Sequence, residues 1–131
     1  MSEATTSATG ISQIGQIAIA VRDLPQAVAF YRDVLGLPFL FETSGMAFFD
    51  CGGVRLMLTV PESPEFDHPA SLIYYTVADV RQTAAVLRAR GAKFERDPHV
   101  VARMPAYDLW MAFLRDADGN LLAIMSEQPR E

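Results

Sequence analysis

From Gln16 to Val21 the chain alternates, with Ile17, Ile19 and Val21 separated by Gln16, Ala18 and Ala20. A period of two predicts a strand with two unlike faces, and Arg22-Asp23 ends it. The period then lengthens. Asp23 stands three residues ahead of Gln26, and Leu24, Ala27, Val28, Tyr31, Val34 and Leu35 recur at helical spacing up to Gly36. This predicts a capped amphipathic helix stopped by a glycine. Residues 39–42, 46–50 and 54–60 read as three shorter strands, joined by turns at Ser44-Gly45 and Cys51-Gly52-Gly53.

After a stretch with three prolines and three acidic residues, the pattern restarts. Residues 72–77 predict a strand, and Asp79 with Gln82 repeats the cap spacing. Val80, Ala84 and Leu87 continue a helix to Gly91, and residues 94–96, 109–114 and 121–125 supply the later strands. Val77 follows Val21 by 56 positions, as Asp79 follows Asp23, while Gly119 follows Gly53 by 66, as Asp116 follows Asp50. The repeat predicts an α+β domain of two tandem β-α-β-β-β modules, about 14–60 and 71–127, joined by an exposed linker over 61–70. Residues 1–10, rich in Ser, Thr and Ala, are expected to be a flexible tail ahead of one domain spanning 11–131.

Composition narrows the function. With 131 residues, half of them hydrophobic and 21% charged, the chain suits one globular domain. A formal charge of −5 argues against a nucleic-acid-tracking surface. No apolar run approaches the roughly 20 residues that span a bilayer, and the first ten residues hold no apolar signal core, so a cytoplasmic protein is expected. Cys51 is the only cysteine, which rules out an internal disulfide; no basic neighbour adjoins it, so a catalytic thiol is not expected. Asp118-Gly119-Asn120 reads as a turn, and no phosphate-binding, dinucleotide, paired-zinc or nucleophile-elbow motif is present.

Three segments in this order, Ile19-Ala-Val-Arg-Asp-Leu24, Phe30-Tyr31-Arg-Asp-Val-Leu-Gly-Leu37 and Asp116-Ala-Asp-Gly-Asn120 before a last strand, resemble the vicinal-oxygen-chelate superfamily of glyoxalases, bleomycin-resistance proteins and extradiol dioxygenases. The resemblance covers about residues 14–127. It implies a curled mixed sheet with helices on its outer face and an open cup on the other. It also implies a homodimer, for which Phe30, Tyr31, Leu37 and Phe39 are candidate contacts.

Metal-using members of that family place four ligands on the first and last strands of the two modules. By resemblance these positions hold Gln16, Met57, Leu72 and Ala123 here. Only Gln16 offers a hard oxygen donor, whereas Zn, Ni, Mn and Fe(II) need several imidazole, carboxylate or thiolate groups. The expectation is therefore no metal and no cofactor, with a small-molecule ligand held in the cup. The expected cup residues are Gln16, Arg55, Met57, Leu72, Tyr74, Trp110, Ala123 and Met125, with Ala18 on the same face.

Arg55 suits a ligand carboxylate or phosphate and Tyr74 offers a hydroxyl, although a snorkelling arginine and a core tyrosine are their plainer roles. His99, expected in a loop over the cup, is the best candidate for general acid or base catalysis without a metal. His68, in the linker, is a weaker one. Trp110, Met111, Phe113, Phe48 and Phe49 suit either an apolar cavity or the core. The rival expectation is a metal-dependent lyase, isomerase or dioxygenase with a divalent ion at a non-standard site made from Gln16, His99 and Asp108.

Overall fold

The computed structural model describes residues 9–69 and 71–130. Most of the expected tail, residues 1–8, lies outside the described residues. The first module runs β1 (Gln16–Ala20), α1 (Leu24–Ala29), β2 (Phe39–Thr43), β3 (Met46–Cys51) and β4 (Val54–Thr59). The second repeats the order with β5 (Ile73–Thr76), α2 (Val80–Ala89), β6 (Phe94–Arg103), β7 (Asp108–Arg115) and β8 (Leu121–Gln128). The predicted α+β repeat is present in full.

Each module forms its own four-stranded mixed sheet, ordered β1-β4-β3-β2 and β5-β8-β7-β6. The outer pairs β1/β4 and β5/β8 are parallel and the other neighbours are antiparallel. Among the described residues no ladder joins β1 to β5, so each module keeps a mixed sheet of its own, as the expected pair of modules implies. One face of each carries the core. In the first module Ile19, Ala47, Phe49, Leu56 and Leu58 pack under α1, and in the second Ala112, Leu114, Leu122 and Ile124 pack under α2. Two-residue alternation leaves the opposite face of each sheet uncovered by α1 and α2.

The helix starts follow the predicted caps. The Asp23 carboxylate accepts the Gln26 N–H at 3.0 Å, and Asp79 accepts the Arg81 N–H at 2.9 Å. The Val80 N–H, at the first turn of α2, donates to the buried Ser126 Oγ at 3.1 Å. After six residues α1 widens into a π-helical segment, Phe30–Val34, in which the Leu35 N–H reaches the Phe30 carbonyl. Gly36, at φ +80°, then ends it in the left-handed region.

The wide turn sends Phe30, Val34 and Leu35 against the second module's core while Tyr31 stays in the first. Tyr31, only 1% exposed, packs inside the chain, and Phe30 is half-buried against both cores. The modules are also joined by polar groups. The Tyr31 hydroxyl donates to Asp116 Oδ2 at 2.7 Å, and Asp116 Oδ1 accepts the N–H groups of Asp118 and Asn120.

The segment around His99 departs from expectation. It is a strand, β6, not a loop. Pro98 reads as a strand breaker, yet β6 lies at the sheet edge, where a missing N–H is tolerated, and its pairing with β7 carries three irregularities.

Candidate ligand-binding site

On the first module's open face Gln16 and Arg55 are partners in the β1/β4 ladder, and Met57 follows on the same side of β4. The Gln16 Nε2 amide approaches the Met57 sulfur at 3.8 Å. Arg55 lays its guanidinium over the Phe48 ring, 5.4 Å from the centroid, a cation–π contact. A β-bulge at Leu40 turns Phe39 toward Phe49 on the core side and Phe41 toward Phe48 on the open side, where the two rings stand 4.6 Å apart.

This face is not bare. Ala18, Ala20, Met46 and Met57 form the floor of a cavity of about 490 Å³, and the linker residues Phe66 and His68 form part of its wall. That volume lies within the ordinary range for small-ligand pockets, about 300–1,000 Å³. The linker, expected to be a mere connection, is part of the site.

On the second module's open face, Tyr74 pairs with Ala123, Ala123 with Phe113, and Met111 with both His99 and Met125. The rings of Tyr74 and His99 stand 6.2 and 6.5 Å from that of Phe113. His99 and Tyr74 therefore share one aromatic row. His99 Nδ1 lies 2.7 Å from the Asp97 carbonyl, which can only accept, so Nδ1 carries the proton and Nε2 is the free nitrogen of the neutral ring.

Leu72 sits just ahead of β5, at its open edge. Trp110 departs from its expected place. It packs on the helix side of β7, with Arg81 of α2 4.5 Å from its ring centroid, because its parity matches Ala112 and Leu114. Asp108 is also placed otherwise: its carboxylate is held by Arg103 at 2.7 Å and Arg130 at 3.1 Å. It lies at the start of β7, and among the described residues it joins no group of three His, Cys, Asp or Glu side chains that could hold an ion.

The fold family implies a metal, and the donors do not fit one. An amide, a thioether, an isobutyl group and a methyl occupy the four positions, and the two on the first sheet meet each other. Among the described residues no three His, Cys, Asp or Glu side chains are grouped to hold an ion.

A second cavity, of about 510 Å³, lies on the helix side between the modules, lined by Leu35, Leu37, Val54, Ile73 and Leu87, with Cys51 and Tyr75 on its wall. Although slightly larger, it is bordered mainly by apolar residues of the two cores and their fringe. Burial, aided by Asp50, raises the Cys51 thiol above its ordinary value. The open faces, where aromatic, thioether and polar groups meet, are the better candidate site.

Sequence parity identified most of these residues. It could not assign Phe41, which a bulge redirects, or show that Phe66 and His68 fold back onto the first sheet.

Comparison with known proteins agrees with this geometry. The family model described as Glyoxalase/Bleomycin resistance protein/Dioxygenase superfamily matches residues 13–124. The chain is 32% identical over 123 residues to uncharacterized protein YraH of Bacillus subtilis (strain 168), covering 83% of this chain and 94% of that one. It is 33% identical over 73 residues to metallothiol transferase FosB of Staphylococcus haemolyticus (strain JCSC1435), covering 53% of this chain and 52% of FosB. Among solved structures, lactoylglutathione lyase from Agrobacterium tumefaciens superposes with a TM-score of 0.70 at 27% identity, covering 89% of this chain and 95% of that one. With two β-α-β-β-β modules, helices on one side of each sheet and a family match across nearly the whole repeat, the chain belongs to the glyoxalase/bleomycin resistance protein/dioxygenase superfamily.

Proposed function

We propose that the protein binds an apolar or amphipathic small molecule on the open faces of its sheets, without a metal or other cofactor, and acts by sequestering it. The observation that carries this reading is the chemistry of the four positions where the family places ligands. Gln16, Met57, Leu72 and Ala123 carry no imidazole, carboxylate or thiolate, Ala123 is itself fully buried, and the exposed Phe41 and Tyr74 with the half-buried Phe113 put aromatic rings on the two open faces. Thioethers and aromatic rings favour flat apolar ligands, and Arg55 at the rim suits an anionic end.

The test is a thermal-shift screen of uncharged and anionic aromatic compounds, repeated on Ala18→Phe, which fills the first module's cavity from its floor. Compounds that stabilise the wild type and not the variant support the reading. A screen in which the two proteins respond alike contradicts it.

A homodimer in the cytoplasm is part of the proposal. Leu40, Phe41, Leu72 and Tyr74 are each more than a third exposed, which is costly apolar surface for a lone chain. Among the described residues no helix is long and apolar enough to cross a membrane. Sedimentation at low micromolar concentration tests the dimer, and a monomer there contradicts it.

The likeness to FosB and to a lactoylglutathione lyase favours a second reading, a metal-dependent transferase, lyase or isomerase. It needs a divalent ion at a non-standard site. The engagement of Asp108 by two arginines weighs against that reading.

A further inference from the structure

The linker has a structure that a simple connection does not need. Its residues 64–66 form a 3-10 turn closed by N–H bonds from Phe66 to the Ser63 carbonyl and from Asp67 to the Pro64 carbonyl, both at 3.1 Å. Pro61, Pro64 and Pro69 limit its conformations. The turn puts Phe66 and His68 on the wall of the first module's cavity, opposite Met46 and Met57. Phe66 lines that cavity and still leaves 63% of its surface in water, so its ring has apolar area open to a further contact. His68 Nδ1 lies 3.2 Å from the Pro69 carbonyl, which leaves Nε2 of the neutral ring as an acceptor.

An ion pair ties the linker to the body. Asp67 pairs with the Arg22 guanidinium at 2.6 Å, and the Arg22 backbone N–H is itself anchored to Asp118 Oδ1 at 2.8 Å. Arg22 lies between β1 and α1 and Asp118 lies between β7 and β8, so the anchor rests on both modules. The pair is open to solvent, and such pairs stabilise weakly. A weak clasp holds a segment closed while letting it open readily.

We propose that residues 61–69 are a cap that closes the first module's ligand cavity within its own chain, with Phe66 and His68 as ligand contacts and Arg22–Asp67 as its clasp. The proposal rests on the cup being the ligand site and deepens it. The ligand class is a flat, uncharged aromatic molecule carrying one hydrogen-bond donor. Phe66 and the thioethers of Met46 and Met57 take its faces, and His68 Nε2 takes the donor.

The test uses N-phenyl-1-naphthylamine, an uncharged three-ring fluorophore with one N–H, so that altering a charge on the protein does not alter its attraction. Its affinity and dissociation rate are measured on wild type, Phe66→Ala, Asp67→Asn and Ala18→Phe, each confirmed as folded by circular dichroism. Phe66→Ala is expected to weaken binding about tenfold, from lost apolar burial. Asp67→Asn is expected to speed dissociation about two- to fivefold, in line with a solvent-exposed pair. Ala18→Phe is expected to abolish binding. If Ala18→Phe abolishes binding while Phe66→Ala and Asp67→Asn match the wild type, the cap is overturned and the cup stands. If the wild type does not bind the probe, or Ala18→Phe binds it unchanged, the cup reading falls and the cap with it.

Discussion

The Tyr31 hydroxyl donates to Asp116 Oδ2 across the module boundary, 2.7 Å away and 85 positions later in the chain. Both residues are buried, at 1% and 6% exposure, so the bond is shielded from competing water. Tyr31→Phe keeps the ring and removes only the donor. Hydrogen bonds to charged groups contribute about 1.5–3 kcal/mol, and a loss of that size is expected in urea unfolding. A change under about 0.5 kcal/mol would show that apolar packing alone carries the junction.

Stability should fall in alkali. Burial, reinforced by Asp116, raises the Tyr31 hydroxyl far above its ordinary value, and burial likewise raises Tyr75, followed by Cys51 and Asp116. In the unfolded chain each tyrosine loses its proton near pH 10, while the folded chain still holds it. Above that pH the unfolded state therefore binds fewer protons, and stability drops by up to about 1.4 kcal/mol per pH unit for each tyrosine. The contribution is complete below about pH 10. The double variant Tyr31→Phe, Tyr75→Phe should show a flatter decline between about pH 10 and 12, and equal slopes would contradict this account.

Tyr75 and Tyr31 should respond oppositely to the same change. Among the described residues the buried Tyr75 hydroxyl has no hydrogen-bond partner, and unpaired buried polar groups are costly. Tyr75→Phe should leave stability at pH 7 unchanged or raise it by up to about 1 kcal/mol. A loss above about 1 kcal/mol would mean that the hydroxyl has a partner in solution.

Ser126 is 2% exposed and accepts the first free N–H of α2, from Val80, across 46 residues. Ser126→Ala leaves that buried N–H unpaired, and a loss of about 1–3 kcal/mol is expected by thermal or urea unfolding. Ser126→Thr, which retains the oxygen, should lose less. Equal losses for the two would assign the effect to packing.

The sequence made the two modules legible because each element carries its own period and stop signal. The alternation of Ile17 and Ile19 and the spacing from Asp23 to Tyr31 are local, and the structure follows them. Features fixed by distant contacts were not legible. Pro98 concealed an edge strand, since edge position is a property of the sheet. A widened helical turn placed Phe30 between two cores, and Trp110 lost its expected place in the cup to a one-residue difference in parity. In the site, the open faces holding Gln16, Met57, Tyr74 and Ala123 followed from alternation. The approach of Phe66 and His68 depended on how a proline-rich segment folds back, which no local pattern encodes.

The central claim is metal-independent binding on a surface where the Gln16 amide meets the Met57 sulfur at 3.8 Å. The most direct test is native mass spectrometry of freshly purified protein, with elemental analysis and melting curves in added Ni, Zn, Mn or Fe(II). The account predicts no stoichiometric metal, no shift of the melting temperature beyond about 1 °C, and an organic molecule carried over or accepted on addition. A metal near one per site, with a shift of several degrees, would contradict it and move the protein to the metal-dependent reading.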